Sequence, residues 1–337
     1  MFYETGAYKL REDDDRTRVH PVNDLIVRAE PLPAREAFTV AYERLSGLAR
    51  QVCGPAVLVA AVDPVGRVVH AVSIPAGRSL TIGRHPRCGL RLPDDIVSLR
   101  HLVVHARSME FAAAPAVQLW DLNTSLPFVT EDGQPNAAVL AEGMLYASVG
   151  PYALLFIPSR GPSEPLWPAR AEEAWSRLPP REFRERHTPN AARLLRPRKL
   201  RRSGHDDYTP VHRGGPLLLL DQDEGPEDAW GELVLYGRGM REFHRISSSR
   251  LEQGVLLGRY ERCGIALSAV SLLSRVHLIL VRMGEEVLAI DTGSTNGTWR
   301  GHIRVETTTL GDPDSLILAT ELHMQWHRLT EEATRRD

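Results

Sequence analysis

The chain has 337 residues, of which 42% are hydrophobic and 25% are charged. This length fits roughly two to three domains of ordinary size, and this share of apolar residues excludes wholesale disorder. The formal net charge is −2, so no global basic field draws the protein to nucleic acid.

The number of cysteines and the hydropathy of the chain indicate the cellular compartment in which the protein works. The three cysteines, Cys53, Cys88 and Cys263, are too few in a chain of this length to form a disulfide framework. The opening stretch MFYETGAYKLREDDDR is polar and acidic, unlike a secretory signal, and no run approaches the ~18 apolar residues of a membrane span. We therefore expect a soluble cytoplasmic protein with no membrane partner. Only Lys9 and Lys199 among the 41 basic residues are lysine, and this arginine bias indicates a GC-rich bacterial genome.

Residues 1–54 are predicted to be an N-terminal extension that contains one amphipathic helix. After Pro31 and Pro33, apolar residues between Phe38 and Val52 recur on one helical face. We expect this helix to pack against its own domain, with a dimer contact as the alternative.

Residues 55–158 are predicted to form a β-sandwich. Short runs rich in branched residues alternate with Gly, Pro and Asp, which is typical of strands joined by turns. The runs are AVLVAAV (56–62), RVVHAVSI (67–74), SLTIG (79–83), HLVVHA (101–106), AVQLWDL (116–122) and YALLFI (152–157).

Residues 159–229 are predicted to contain a short helix at 169–178 and then an arginine- and proline-rich linker from residue 188. The linker holds a basic run with no acid in it. Its members are Arg193, Arg196, Arg198, Lys199, Arg201 and Arg202. Such a run can bind nucleic acid or an acidic partner by releasing counterions. No aromatic residue is interleaved, so a solvated linker neutralised by the acids at 221–228 is the favoured interpretation.

Residues 230–329 are predicted to form a second β-sandwich. The runs ELVLYG, EFHRISS, GVLLG, VHLILVR, EVLAID, SLILAT and ELHMQW again lie between turn residues. Two of them flank Met283-Gly284-Glu285-Glu286, which predicts a hairpin. The predicted fold class is therefore all-β, with two β-sandwich modules and short helical additions at the N-terminus and before the linker.

Three sequence blocks recur in the two predicted sandwiches in the same order. Residues 83–92 read GRHPRCGLRL and residues 258–267 read GRYERCGIAL, at a constant offset of 175. An S-x-x-H pair follows in both copies, and after it come DLNTSLPF from Asp121 and DTGSTNGTW from Asp291. Solenoid repeats have periods of about 20–50 residues, so this spacing indicates duplication of a whole domain.

These blocks resemble the forkhead-associated (FHA) domain family, closely over residues 230–329 and more weakly over residues 55–158. The family pattern is Gly-Arg at a strand end, Ser-x-x-His on the next loop, and a Ser-Thr-Asn-Gly-Thr turn. The second module reads Gly258-Arg259, Ser274-Arg275-Val276-His277 and Ser294-Thr295-Asn296-Gly297-Thr298. An ordered set of motifs is more specific than any one of them. The resemblance implies a β-sandwich that binds a phosphothreonine peptide.

The residue types in these motifs suit a phosphate group. A phosphothreonine carries about −1.5 to −2 charge and three strong acceptor oxygens. A guanidinium pairs with phosphate through parallel hydrogen bonds, and short hydroxyls donate to it without crowding. The resemblance implies that Arg259, Ser274 and Thr295 contact the phosphate. It also implies that Arg275 is a second guanidinium and that Asn296 holds the peptide backbone.

Three further residues of the second module are expected to shape the site. Gly258 ends the strand before the arginine, and Gly297 permits a backbone turn that a side chain would resist. The resemblance implies that His277 ties the binding loops together by hydrogen bonds and is not a catalytic base. The turn after residue 298 is one residue shorter than the family usually has.

The first module keeps only part of the pattern. The residues that match are Arg84, Ser98, His101 and Ser125. Leu126 stands where the second module has asparagine, and Pro127, whose φ is fixed, stands where it has glycine. Leu99 replaces the arginine that follows the serine. We expect a degenerate module with a structural or protein-contact role.

Metal and enzyme chemistry find no support in the sequence. His101 and His105 are four residues apart, as are His323 and His327, but both pairs lie in predicted strands, where such residues are about 13 Å apart. The chain contains no H-E-x-x-H, Walker, G-x-S-x-G or dinucleotide-binding motif. We expect no metal, no cofactor and no catalytic residue.

We therefore expect a non-enzymatic adaptor that recruits a threonine-phosphorylated partner through its C-terminal module, downstream of a Ser/Thr kinase. Thr188 and Thr209, each followed by proline, are candidate internal ligands. Two alternatives stay open. One is a scaffold that binds unphosphorylated protein through both sandwiches, and the other is a nucleic-acid-associated regulator that uses the arginine run.

Overall fold

Strands dominate the chain, as the sequence predicts. The computed structural model describes residues 29–109, 112–161, 167–185, 208–214, 229–237 and 239–329. These ranges form two β-sandwiches and three helices, so the predicted all-β class with helical additions is confirmed. No helix in these ranges is long and apolar enough to cross a lipid bilayer.

The first module is a sandwich of two sheets. Its strands are β1 (Ala56–Val62), β2 (Val68–Pro75), β3 (Ser79–Gly83), β4 (Leu90–Arg91), β5 (Leu102–Arg107), β6 (Ala116–Asp121), β7 (Phe128–Thr130), β8 (Pro135–Asn136), β9 (Ala138–Ala141), β10 (Leu145–Val149) and β11 (Tyr152–Ser159). One sheet, here called outer sheet 1, has the order β2-β1-β11-β10-β7-β8. The other, inner sheet 1, contains β9-β6-β5-β3-β4.

Helix α1 (Ala34–Gln51) covers the free face of outer sheet 1. Its apolar residues Ala37, Phe38, Ala41 and Leu45 are buried on one side, at the spacing of a helix face. They pack on side chains of the sheet such as Leu58, together with helix α2 (Ala171–Ser176). The amphipathic face predicted from the sequence is therefore occupied by the chain's own first module.

Strand β1 shows why its sequence, AVLVAAV, has no polar alternation. Successive side chains of a strand point to opposite faces of the sheet. Val57 and Val59 lie in the core of the sandwich, whereas Leu58 and Ala60 lie in the cluster under α1. Because both faces are covered, all seven residues are buried.

Residues 159–229, predicted as a short helix and a linker, also contain two strands. Strands β12 (Arg181–Glu185) and β13 (Thr209–Gly214) pair in parallel, and β13 pairs antiparallel with β9, so both extend inner sheet 1. Val211 is fully buried in the first module's core, which accounts for the docking of β13. The basic run at 193–202 and Thr188 lie outside the described residues.

The second module repeats the strand plan of the first. Its elements are β14 (Ala229–Gly237), β15 (Met240–Ser247), α3 (Ser248–Gln253), β16 (Val255–Gly258), β17 (Ile265–Ala266), β18 (Leu278–Met283), β19 (Glu286–Asp291), β20 (Thr298–Arg300), β21 (Ile303–Val305), β22 (Thr307–Leu310), β23 (Asp314–Leu318) and β24 (Leu322–Arg328). Outer sheet 2 is β15-β14-β24-β23-β20-β21 and inner sheet 2 is β17-β16-β18-β19-β22. Each strand has a counterpart at the same sheet position in the first module, which supports the duplication.

The two inner sheets pack against each other face to face. Val103 and Trp120 of the first module lie in one buried apolar cluster with Ile279, Val281 and Ile290 of the second. The indole Nε1 of Trp120 also donates to the carbonyl oxygen of Gln253 at 3.1 Å. The modules therefore share a continuous apolar interface.

Candidate functional site

The first motif of the second module brings two loops together at the end of β16. A Cβ atom at Gly258 would lie 2.2 Å from the carbonyl oxygen of Arg275, a distance that real Cβ contacts do not reach. Only glycine permits this approach. Next to it, the backbone N–H of Arg259 donates to the Ser274 carbonyl at 3.1 Å. The Gly-Arg pair therefore places Arg259 directly beside the loop of residues 271–277, here called the serine loop.

The cysteine of the repeated GR…RCG block is part of the same scaffold. The Cys263 thiol donates to the Arg275 carbonyl at 3.3 Å, and in the first module Cys88 donates to the Leu99 carbonyl at 3.2 Å. Burial raises the pKa of Cys263 to about 12 and that of Cys88 to about 11. Both thiols therefore stay protonated and unreactive.

Ser274 connects the serine loop to residues 292–297, here called the threonine loop. The backbone N–H of Thr295 donates to Ser274 Oγ at 3.0 Å. Because Oγ accepts this bond, the hydroxyl proton of Ser274 remains available as a donor, and it has no acceptor among the described residues. Ser274 is 7% exposed whereas Thr295 is exposed, so one of the two joined loops carries a largely buried hydroxyl group and the other carries an exposed one.

His277 locks the two loops from beneath. It is fully buried; its Nδ1 accepts from the Ser274 backbone N–H at 3.3 Å, and its Nε2 donates to the Gly297 carbonyl at 3.2 Å. Burial is the main cause that lowers the pKa of His277 to about 4. The imidazole is therefore neutral at pH 7 with its proton on Nε2, and its role is that of a scaffold.

The threonine loop is a turn held by one carboxylate. Asp291 accepts from the backbone N–H of Ser294 at 2.6 Å, from the Ser294 hydroxyl at 2.5 Å and from the Thr298 hydroxyl at 2.7 Å. Gly297 has a φ of +81°, in the left-handed region that favours glycine. The turn thus presents the two residues between Ser294 and Gly297 to solvent in a fixed orientation.

Asn296 bridges the two loops on the exposed side. Its Nδ2 donates to the carbonyl oxygen of Leu272 at 2.8 Å, which fixes the plane of the amide. An amide has two N–H donors and a carbonyl acceptor, so one donor and the acceptor remain for another group. The asparagine side chain is therefore held in one orientation next to Thr295.

Arg259 is the exposed cation of this site. Among the residues that the structure describes, its guanidinium has no hydrogen bond and no ion pair, and its side chain is exposed. Arg275 is half-buried on the serine loop. Arg259 thus lies at the end of β16, and Ser274, Arg275, Thr295, Asn296 and Gly297 lie on the two loops, which are bonded to each other and, through Ser274, to Arg259.

The first module has the same scaffold with a closed site. Gly83 is held as close to the Leu99 carbonyl, at 2.5 Å for an added Cβ. His101 is fully buried, accepts from the Ser98 backbone N–H at 3.0 Å and donates to the Leu126 carbonyl at 2.7 Å. Burial lowers the pKa of His101 to about 4. The loop-locking histidine is therefore retained.

The binding atoms of the first module are engaged or absent. Arg84 donates from Nε to the Val97 carbonyl at 3.2 Å, and its guanidinium lies 3.7 Å from the Asp95 carboxylate. In the described part of the chain no hydrogen bond joins Ser125 to Ser98, unlike the bond between their counterparts. Leu126 and Pro127, at the threonine-loop positions 296 and 297 of the second module, supply no amide.

Two arginines of the first module reach the threonine loop of the second, which sequence reasoning did not predict. Arg100 donates from Nε to the Gly293 carbonyl at 2.8 Å and from a terminal nitrogen to Thr295 Oγ1 at 3.4 Å. Arg87 donates to the Thr295 carbonyl at 3.0 Å. The one sequence signal is that the first copy reads SLRH where the second reads SRVH, so the arginine is displaced by one residue.

No metal centre is found in the described ranges, where no three His, Cys, Asp or Glu side chains are grouped to hold an ion. In the histidine pair His101 and His105, His101 is hydrogen-bonded to the Ser98 backbone N–H and to the Leu126 carbonyl oxygen. His105 lies 3.0 Å from the Ser79 hydroxyl.

Comparison with known proteins identifies one family. The FHA domain model matches residues 255–319. No functionally curated protein matches the chain. Among solved structures, the FHA-1 domain of Mycobacterium tuberculosis Rv1747 is 25% identical, covering 30% of this chain and 100% of its own, with a TM-score of 0.24. The FHA domain of Chlamydia trachomatis CT664 is 14% identical, covering 30% of this chain and 96% of its own, with a TM-score of 0.26.

The matched segment runs from β16 to the residue after β23 and contains all three motifs of the site. Residues 255–319 are therefore similar to the FHA domain family over the part of the second module that carries the three motifs.

Proposed function

We propose that the second module binds a threonine-phosphorylated peptide and that the protein is a non-catalytic adaptor acting downstream of a Ser/Thr kinase. Arg259, Ser274 and Thr295 bind the phosphate in this proposal. Arg275 adds positive charge, and Asn296 binds the peptide backbone.

The observation that carries the proposal is an exposed Arg259 whose backbone is bonded to the serine loop, which is itself joined to the threonine loop through the Ser274 hydroxyl. A phosphorylated side chain brings about −1.5 to −2 charge and three acceptor oxygens. The site offers a guanidinium and two hydroxyl donors to those oxygens, on a backbone fixed by Asp291 and His277. A fixed set of donors binds its ligand without the cost of ordering the loops.

The first module is not a second reader in this proposal. Its Arg84 is paired with Asp95 and lacks a neighbouring amide, as described above. The interface between the inner sheets supports a structural role for this module instead. The alternative is a scaffold that binds unphosphorylated protein through both sandwiches. Because the inner sheets of the two modules pack against each other, such a scaffold would have to bind through other surfaces.

Of the two candidate internal ligands, Thr209 is disfavoured by its burial. It is 5% exposed at the start of β13, and its backbone N–H donates to the Pro180 carbonyl at 2.7 Å. A phosphate on Thr209 would require the strand to leave the sheet. Thr188 and the arginine run lie outside the described residues.

The test is fluorescence anisotropy of the full chain with a degenerate phosphothreonine peptide library and its unphosphorylated twin. The proposal predicts saturable binding to the phosphorylated library alone. Equal binding to both libraries would support the scaffold, and binding to neither by folded protein would refute the peptide-reader function.

A further inference from the structure

We propose that the first module completes the phosphate site of the second by supplying the Arg100 guanidinium. This inference rests on the proposed function of the second module. In this proposal the degenerate first module does not bind a ligand of its own but adds a cation to the phosphate site of the second module.

Arg100 contacts the threonine loop of the second module, including the Thr295 hydroxyl that is proposed to bind the phosphate. Its terminal nitrogen donates to Thr295 Oγ1, so the hydroxyl accepts from Arg100 and directs its own proton elsewhere. Its Nε bond to the Gly293 carbonyl fixes the guanidinium against the start of the threonine loop. Arg100 therefore orients the Thr295 hydroxyl as a donor to the phosphate.

The distance also suits direct electrostatic attraction. A phosphate oxygen that accepts from Thr295 lies about 2.7 Å from Oγ1, as hydroxyl hydrogen bonds do. Since Oγ1 is 3.4 Å from the Arg100 nitrogen, that phosphate oxygen lies within about 6 Å of the guanidinium. Opposite charges at this range favour each other's charged form.

The position of Arg100 is set by the interface between the modules. In the S-x-x-H motif, position 100 corresponds to Val276, which lies in the apolar cluster between the inner sheets. The third motif position therefore faces the neighbouring module in both copies. Arg87 donates to the Thr295 carbonyl from the same side and holds the loop against Arg100.

The interface has an approximate internal symmetry that provides a matched control. Asn123 of the first module corresponds to Gly293 of the second, and its Nδ2 donates to the Arg262 carbonyl at 2.7 Å. This bond is the counterpart of the arginine contacts on the other half of the interface, and it involves neither the serine loop nor the threonine loop of the second module. Asn123 has a φ of +55°, so Asn123→Gly removes the amide and keeps the backbone conformation.

The experiment compares the full chain and its variants Arg100→Ala, Arg100→Lys and Asn123→Gly in anisotropy titrations with one phosphothreonine peptide that the wild type binds. Circular dichroism melting confirms that each variant is folded. Arg100→Ala is expected to weaken binding on the order of fivefold, in line with one partly exposed charge-assisted bond. Arg100→Lys is expected to recover part of this loss, and Asn123→Gly is expected to match wild type within about twofold by the same arithmetic.

A pH comparison separates charge from structure. The second phosphate ionisation has a pKa of about 6, so the ligand gains charge between pH 5.5 and 7.5. The loss caused by Arg100→Ala is expected to be larger at the higher pH. A merely structural role would produce the same loss at both.

The outcomes are distinguishable from failure of the proposed function. Arg259→Ala is titrated alongside. Unchanged or tighter binding by Arg100→Ala, with at least a tenfold loss in Arg259→Ala, overturns this inference and leaves the phosphopeptide reader intact. An equal loss in Asn123→Gly also overturns it, because the effect then belongs to the interface as a whole. Absence of phosphate-dependent binding in wild type overturns both.

Discussion

The backbone N–H of Thr295 donates to the hydroxyl of Ser274 at 3.0 Å, and this bond joins the two loops that form the site. It makes the serine an acceptor toward the protein and leaves its proton for the ligand. One residue thus joins the two loops and keeps a hydroxyl donor that no described residue accepts.

Ser274→Ala is predicted to weaken phosphopeptide binding about tenfold, since a hydrogen bond to a charged group contributes about 1.5–3 kcal/mol. Anisotropy titration measures the loss. Ser98→Ala, the same change in the first module, is the control and is expected to leave affinity unchanged. A loss of equal size in both variants would contradict the assignment of the site to the second module.

Two glycine substitutions are predicted to have opposite effects on stability. Gly258→Ala puts a methyl group 2.2 Å from the Arg275 carbonyl and is expected to destabilise the protein by about 1–3 kcal/mol or more, as overpacking does. Gly47→Ala, within α1 and with no atom within 4 Å of the added Cβ, is expected to stabilise by about 0.5–1 kcal/mol. Urea unfolding gives both signs. A stable Gly258→Ala protein would show that the loop is not held as described.

Stability is predicted to fall as the pH is lowered from about 6.5 toward 4. Burial lowers the pKa of His101, His105 and His277 to about 4, so between that value and the ordinary histidine value of 6.5 the unfolded chain binds more protons than the folded one. Each of these histidines therefore leaves stability unaffected above the unfolded pKa and lowers it by about 2 kcal/mol at pH 5. Burial raises the pKa of Asp121 to about 6, so protonation of this carboxyl stabilises the folded state as the pH falls. This single group opposes the effect of three histidines.

The measurement is urea unfolding at pH 7 and pH 5 for the wild type and for His277→Gln. The wild type is expected to lose stability at pH 5, and His277→Gln is expected to lose less between the two pH values. Equal stability of the wild type at both would contradict the burial of neutral histidines.

One thiol of three is predicted to react in the native protein. Cys53 is exposed, whereas Cys88 and Cys263 are buried and protonated. Brief treatment with iodoacetamide followed by mass spectrometry is expected to show a single modification at Cys53, and three modifications after denaturation. Modification of Cys263 without denaturant would mean that the loop scaffold opens readily.

The sequence predicts the strands and the loops of the site better than it predicts what lies between the modules. The Gly-Arg, S-x-x-H and turn motifs indicate local geometry directly, since close approach at Gly258 and positive φ at Gly297 are requirements of the residue types themselves. The hairpin around Gly284, where φ is +68°, follows from the same kind of signal. These features depend on neighbours in sequence.

The packing of the inner sheets depends on partners far apart in sequence. The runs LILVR and EVLAI do not alternate between apolar and polar, and in retrospect this indicates two covered faces. Leu278 and Leu280 fill the module's own core, whereas Ile279 and Val281 fill the interface. The pattern reveals that a second face is buried but does not say what covers it. The contact between Arg100 and Thr295 is set by that packing, so no local pattern contains it.

The central claim is that the phosphate binds at the motifs of the second module and not at those of the first. The most direct measurement compares Arg259→Ala with Arg84→Ala against one phosphothreonine peptide. The two substitutions remove the same side chain from the same motif position of the two copies. The account predicts at least a tenfold loss for Arg259→Ala, from a bond of about 1.5–3 kcal/mol, and wild-type affinity for Arg84→Ala. Loss of binding in Arg84→Ala with retention in Arg259→Ala would contradict it.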